Sequence, residues 1–449
     1  MTKFQKQMLT IAAAGALTAV TALPAMALEN EFHGMMAVKT YFSNFDGNGL
    51  VLEENSKTNN YTDQRTRIQY TAKASDDLKL VTHFEMNTAW GDAASGGDID
   101  TDGNNLVVKH AYLDFNIGKN LNVKAGQQAY KDTLAGLYVD ADLPMAYVTY
   151  KQGAYSLGLG YSRFNDEELT VAGDSYRGDI AGDLYAIDNT FAINKDTKVG
   201  FSYYLNRDDS GPAAAAGGIP SERKINTLGL FGATKMGALD LSGFVAMQKG
   251  FSHELAGTKV QYHGWAANVL AKMKLGNGLA RTGFLFTSGD NSDKVGSNHA
   301  WQTLSSNGAS SAINSYNESG MMLLVRNTSM GGTSTDVYLR KPITNIALLH
   351  AGYNANLSEK LYANGNIGMA WLPASDYEMG YTTSGATGAN NGSDILGTEV
   401  NAEVGYKLYS NLTLKAQAAY VMLGGAYKLA NGEDAADPFT LRLGAHYSF

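Results

Sequence analysis

The sequence predicts an all-β chain, a closed antiparallel β-barrel that crosses a membrane on 16–18 strands, with 18 the best count. Three observations predict it. The last nine residues alternate with period two. Leu441, Leu443, Ala445, Tyr447 and Phe449 share one face, and Arg442, Gly444, His446 and Ser448 share the other. A wall with lipid outside and water inside needs that pattern. The alternation then recurs along the chain in strand pairs, with a short turn at one end and a long polar loop at the other. Finally, 50 Gly and 26 Tyr against only 7 Pro suit many strands joined by tight turns. The mean hydropathy of -0.22 fits a wall whose every second residue faces water.

The N-terminus reads as an export signal. Lys3 and Lys6 precede an apolar run from Met8 to Leu23, and Ala25-Met26-Ala27 follows it. A basic region, an apolar core and a small-x-small cleavage site assign residues 1–27 to the signal and 28–449 to a single barrel domain. The run is short, rich in Ala and Thr, and stopped by Pro24. No later segment offers the roughly 20 uninterrupted apolar residues of a spanning helix. Removing Lys3 and Lys6 takes the net charge from -8 to -10, which argues against a nucleic-acid partner. The chain has no Cys, so a disulfide framework, a thiolate metal site and covalent haem attachment are excluded.

Taken in order, a first strand over about 31–43 sets Phe32, Met36, Val38 and Phe42 against His33, Lys39 and Tyr41. Strands two and three, about 62–74 and 78–90, turn at Asp76-Asp77 and form the cleanest hairpin. In strand two Arg65, Arg67, Gln69, Thr71 and Lys73 oppose Thr66, Ile68, Tyr70 and Ala72. Strand three opposes Lys79, His83, Glu85 and Asn87 to Leu80, Phe84, Met86 and Trp90. Further short turns fall at Gly118-Lys-Asn120, Gln152-Gly153, Asn194-Lys-Asp196, Met236-Gly237, Asn277-Gly278, Ser358-Glu-Lys360 and Tyr409-Ser-Asn411. Asn-Gly is the strongest of them. Long loops are expected at about 91–104, 129–144, 165–181, 207–222, 251–259, 291–340, 373–395 and 425–438. Within 291–340, Met321-Met-Leu-Leu-Val325 reads as strand, short helix or buried loop, and the strand count is bracketed for that reason. Late strands place Val400, Val404, Leu414 and Tyr420 outward, with Glu399, Asn401, Glu403, Lys415 and Gln417 inward. Tyr41, Trp90, Tyr112, Tyr155, Trp371 and Tyr447 near strand ends suit interfacial girdles. A barrel of this size leaves an aqueous lumen.

With the strands placed, a resemblance becomes specific. Gln-Arg-Thr-Arg-Ile-Gln (64–69), Phe-Glu-Met-Asn-Thr-Ala-Trp-Gly-Asp (84–92), Lys-His-Ala-Tyr-Leu-Asp-Phe (109–115), Val-Lys-Ala-Gly-Gln (123–127) and the terminal Phe449 resemble the trimeric porins of sulfate- and metal-reducing bacteria. The segment from Gly405 to Leu414 is similar to late hairpins of alginate-export-type barrels. The terminal Tyr447 and Phe449 resemble the signal read by the barrel-assembly machinery. The resemblance covers the export signal, the first third and the C-terminal hairpins. It implies a homotrimer in outer-membrane lipid, with no catalytic role, that passes small hydrophilic solutes and ions by passive diffusion. Two other readings stay open: a selective oligosaccharide or alginate-type channel, and a structural or cytochrome-associated barrel.

In porins of that kind the third long loop enters the lumen and sets the constriction. Here it is 129–144, carrying Asp132, Asp140 and Asp142. The expected arrangement sets these acids against Lys39, Arg65, Arg67 and Lys73, which face inward by alternation. The alternative is that the arginines line the wall and pair with Glu85. A two-residue turn at Asp76-Asp77 pairs positions whose numbers sum to about 153, which puts Glu85 nearest Arg67. Asp98, Asp100 and Asp102 match the opening of a calcium loop, but the twelfth position is Lys109 rather than Glu, which favours an acidic turn. Calcium is the only cofactor candidate. His83 with Glu85, and His263, lack a third ligand at a recognisable spacing, so no zinc site is assigned.

Overall fold

The computed structural model describes residues 28–45, 58–100, 106–171, 174–209, 222–253, 259–290, 296–304, 313–329, 338–374, 393–427 and 434–449. The expected export signal lies outside them. The strands are β1 (Glu29–Ser43), β2 (Asn59–Ser75), β3 (Leu78–Ala89), β4 (Leu106–Ile117), β5 (Leu121–Lys131), β6 (Asp140–Gln152), β7 (Tyr155–Val171), β8 (Asp174–Ala192), β9 (Thr197–Asp208) and β10 (Arg223–Met236). They continue as β11 (Leu239–His253), β12 (Lys259–Tyr262), β13 (Trp265–Leu275), β14 (Gly278–Thr287), β15 (Ser297–Asn298), β16 (Ile346–Asn356), β17 (Leu361–Trp371), β18 (Ile395–Tyr409), β19 (Leu412–Leu423) and β20 (Phe439–Ser448). β12 and β15 are short and pair with each other in parallel. β11 pairs directly with β13, and β14 with β16, so the wall itself has 18 strands.

The wall closes where β20 meets β1 in antiparallel register, from Met35 opposite Ser448 to Ser43 opposite Thr440. Beyond that ladder Phe449 and Gly34 exchange both backbone hydrogen bonds, at 2.9 and 3.0 Å. The Phe449 ring lies over Gly34, where a Cβ would come within 2.4 Å of it. An unpaired backbone group in hydrocarbon costs several kcal/mol, so closure is required and not merely favourable.

Alternation sorts the side chains as the sequence predicts. Phe32, Met36, Val400, Val404, Tyr406, Leu414, Tyr420, Leu441, Leu443, Tyr447 and Phe449 are exposed on the outside. Glu399, Asn401, Glu403, Gln417 and Arg442 are buried on the inside. A continuous apolar outer surface of this extent fits a hydrocarbon surround. No helix among the described residues is long and apolar enough to cross a membrane. Tyr41 and Tyr112 do not join an outer girdle. Tyr41 is buried inside the wall and stacks on Tyr61 at 4.5 Å, and Tyr112 shares its inward face with the buried Asp114.

The β2–β3 hairpin turns at Asp76-Asp77, and Arg67 stands directly opposite Glu85. A bulge between Lys73 and Ser75 absorbs one residue, so the pairing constant is 153 at the turn and 152 beyond it. Other expectations need correction. β7 and β8 continue their ladder to Val171 and Asp174, so most of 165–181 is strand and not loop. The hairpins expected at Gln152-Gly153 and Met236-Gly237 turn one residue later, at 153–154 and 237–238, and that expected at Asn277-Gly278 turns one residue earlier, at 276–277. Gly276 takes the positive φ of 57°, as a II′ turn with Gly first requires.

Candidate functional site

An 18-stranded wall cannot fill its own interior with side chains. Here two chain segments cover part of the inward face, and among the cavities that remain the one at the closing seam is lined by cations. The first segment is the loop between β5 and β6. Its organiser is Asp132, which is buried and accepts four backbone N–H donors. Leu134 and Gly136 donate to Oδ1 at 2.7 and 2.9 Å, and Tyr138 and Val139 to Oδ2 at 2.7 and 2.5 Å. Ala135 and Gly136 both take positive φ, and the Leu137 N–H closes the turn onto the Leu134 carbonyl at 3.1 Å. Burial lifts the Asp132 carboxyl to about 6, although the four donors pull the other way.

This loop packs on the inward faces of β8 to β10. Thr133 Oγ1 lies 2.6 Å from Ser202 Oγ, and Tyr138 stacks on Tyr204 at 5.2 Å. Leu134 sits over Gly229, where a Cβ would come within 2.5 Å. Beneath it, Tyr130, Tyr147 and Tyr204 all donate to Asp188, at 2.9, 2.8 and 2.7 Å.

The second segment follows β15. Trp301 and Leu304 are buried against the first loop, with the Leu304 N–H donating to the Tyr138 carbonyl at 3.0 Å. The run Met321–Val325, open between strand, helix and loop from sequence, is a buried loop and not a wall strand. Its residues have 0% exposure. Glu399 of β18 holds it, accepting N–H bonds from Met322, Leu323 and Leu324 at 2.6, 3.0 and 2.8 Å, and one from Asn401 Nδ2 at 2.6 Å. The Met321 side chain rests against Gly368.

The cation-lined cavity spans the closing seam. It has a volume of about 170 Å³ and is lined by Lys39, Arg65, Arg67, Lys415, Arg442 and His446 among others, with Thr328 and Ser329 of the second segment opposite. Arg67 Nε contacts Glu85 Oε2 at 2.5 Å, and Arg65 Nε lies 3.7 Å from the same oxygen. Arg65 also donates to Asn87 Oδ1 at 2.7 Å. Lys415 Nζ is 3.7 Å from Glu403 Oε1. The Arg442 guanidinium lies 5.5 Å from the Tyr41 ring centre. Five fixed cations thus share the cavity, with Glu85 and Glu403 alongside three of them.

The expected opposition of loop acids and wall arginines is therefore corrected. Asp132 is spent on its own loop. Asp140 meets Lys131 at 3.2 Å and accepts from Ser315 Oγ. Asp142 accepts from Lys109 and lies 2.8 Å from His110 Nε2. None of the three lines the cavity with Arg65 and Arg67. Lys73 is also elsewhere, at the turn end of β2, 3.2 Å from both Glu29 and Asp76. Of the calcium candidates, Asp98 and Asp100 are described and Asp102 lies outside the described residues. No three His, Asp or Glu side chains gather as metal ligands among the described residues. Sequence reasoning placed Lys415, Arg442 and His446 inward but not at the site. The signal was available, because closing the barrel makes the last strands neighbours of the first.

No family model matches the chain, and no curated protein matches it. Solved structures do. OpdL of Pseudomonas aeruginosa superposes with a TM-score of 0.55 at 12% identity, over 94% of this chain and 99% of that one. A BenF-like porin from Pseudomonas fluorescens gives 0.53 at 13%, over 94% and 99%. OpdK of Pseudomonas aeruginosa, solved with vanillate, gives 0.52 at 11%, over 93% and 98%. At such identities the likeness is one of fold. This chain is a closed, 18-stranded antiparallel barrel of the kind these porins form.

Proposed function

We propose that the chain is an outer-membrane porin, a channel for small hydrophilic solutes and ions, and that its open sector prefers anions. The carrying observation is the cavity at the seam, where Lys39, Arg65, Arg67, Lys415 and Arg442 face Thr328 and Ser329. Fixed cations at the narrowest level raise the local concentration of anions and repel cations. Their influence decays over a Debye length of about 8 Å at physiological salt, so charges outside the constriction count for little. The fold and the apolar outer face support the membrane setting. The sequence resemblance to trimeric porins of sulfate- and metal-reducing bacteria supports a trimer, inserted by the assembly machinery through Tyr447 and Phe449.

Purified protein in planar bilayers should show discrete conductance steps, and size-exclusion light scattering should give three copies per particle. A protein that inserts yet conducts no ions would reject the channel. A monomeric mass would reject the trimer alone.

The selective-channel reading has one observation of its own. The seam cavity gathers five cationic side chains, and a small carboxylated solute fits that chemistry. Vanillate, with which the structurally similar OpdK was solved, is such a solute. Saturable block of the current by vanillate, absent with glucose, would favour this reading over general diffusion.

A further inference from the structure

A second cluster lies on the wall beside the seam cavity and outside its lining. His83 of β3 stands opposite His110 of β4, and the register slips just beyond them, where Phe84 pairs with Val108 and Lys109 is passed over. The regular register from Leu78–Phe115 onward sets the two rings side by side. Their centroids are 5.0 Å apart at 60°, and Nδ1 lies 3.2 Å from Nδ1. On the far side of His110, Nε2 lies 2.8 Å from Asp142 Oδ1 of β6.

A carboxylate at that distance accepts the Nε2 proton, which leaves the lone pair of a neutral His110 on Nδ1, aimed at His83. The gap between the two Nδ1 atoms then takes one proton or one cation. Zinc–imidazole bonds of about 2.0–2.1 Å at a tetrahedral angle set two nitrogens about 3.3 Å apart, near the spacing observed. A carboxylate on the distal nitrogen is the usual support of a ligating histidine. We propose that His83 and His110 form a two-imidazole site for a borderline divalent cation such as Zn²⁺ or Ni²⁺, with Asp142 as a positioning residue.

The chain supplies only two ligands, since no third His, Asp or Glu joins them among the described residues. Water completes the coordination, so the site is open and exchanges its ion. Lys109 and Arg67 oppose a bound cation, whereas Asp142 and Glu85 favour it. The inference is independent of what the lumen conducts.

Calorimetric titration of the detergent-solubilised full barrel with zinc chloride tests it. The expected result is one zinc-binding component at micromolar concentrations. It is lost in His83→Ala and in His110→Ala, weakened about 10- to 100-fold in Asp142→Asn, and retained in His263→Ala. The last variant is the control, because His263 and His299 also pair edge to face, at 5.7 Å. Zinc X-ray absorption of the unsubstituted protein, which needs no variant to fold, should show two imidazole nitrogens with oxygen completing the shell. Zinc binding only at millimolar concentration, binding unchanged in the His83 and His110 variants, or a spectrum without an imidazole pair would each overturn the proposal.

Discussion

Two regions of the lumen start from the same kind of wall and end differently. On the side of β8 to β18 two buried inward carboxylates are answered by protein donors. Asp188 takes three tyrosine hydroxyls, and Glu399 takes three backbone N–H groups of the Met321–Val325 run. At the seam of β19, β20, β1 and β2, the inward groups are cations around a cavity. Inward polarity alone therefore does not define a channel. Which inward faces the described parts of the inserted segments cover matters as well.

The largest effect should come from removing the clamp on the filled side. Glu399→Ala leaves three buried N–H groups and the Asn401 amide without their acceptor, at about 1–3 kcal/mol each. The second segment should leave the wall, and single-channel conductance should rise severalfold. Conductance unchanged in a folded Glu399→Ala barrel would mean that the segment is held without the clamp.

A smaller change should follow Asp132→Ala, because the first loop keeps its Tyr138 stacking and its Thr133 contacts after losing four acceptor bonds. Asp132 also carries a pH signature. Its folded pKa of about 6 lies above the ordinary carboxylate value, so the folded state binds a proton more readily than the unfolded one. The stability it contributes is thus fully present below the ordinary range and is lost as pH rises through 6. Urea unfolding in lipid vesicles should show this decline between pH 4 and 6.5 in the native protein and none in Asp132→Asn. The opposite slope would place the four N–H donors above burial in setting the pKa.

On the open side, replacing Arg65 and Arg67 with Ser should leave folding nearly unchanged and move ion preference towards cations. Glu85 loses its cationic partners in that variant and keeps only the Asn87 amide, so adding Glu85→Gln should return part of the shift. The smallest effect belongs to Lys73→Ser. Lys73 sits outside the cavity with exposed partners, and such surface pairs contribute about 0–1 kcal/mol. Its reversal potential should match that of the native protein.

Much of the wall was legible in the sequence because period two is a local signal. Arg67 and Glu85 fell opposite each other from the turn alone, and the faces of β18 to β20 followed from alternation. Contents of the lumen were less legible. Met321–Val325 is a short apolar run, and periodicity cannot tell a strand from a buried loop at that length. Asp132 looked like a pore acid because its four partners are backbone N–H groups, which no side-chain pattern announces. The seam escaped because Lys39 and Arg442 are hundreds of residues apart in sequence and become neighbours only when the barrel closes. The pairing of His83 with His110 was missed for a related reason: they lie on strands joined by a long loop, and the β3–β4 register, not a local spacing, sets them opposite.

The central claim is that the open path runs through the cationic seam. The most direct test is the reversal potential of single channels across a potassium chloride gradient, for the native protein and for Lys415→Ser/Arg442→Ser. These two residues are remote in sequence from Arg65 and Arg67 but share their cavity. The native channel should reverse at a potential that marks chloride as the preferred ion, and the double variant should move towards potassium. A native channel that prefers potassium, or a double variant with an unchanged reversal potential, would contradict the claim.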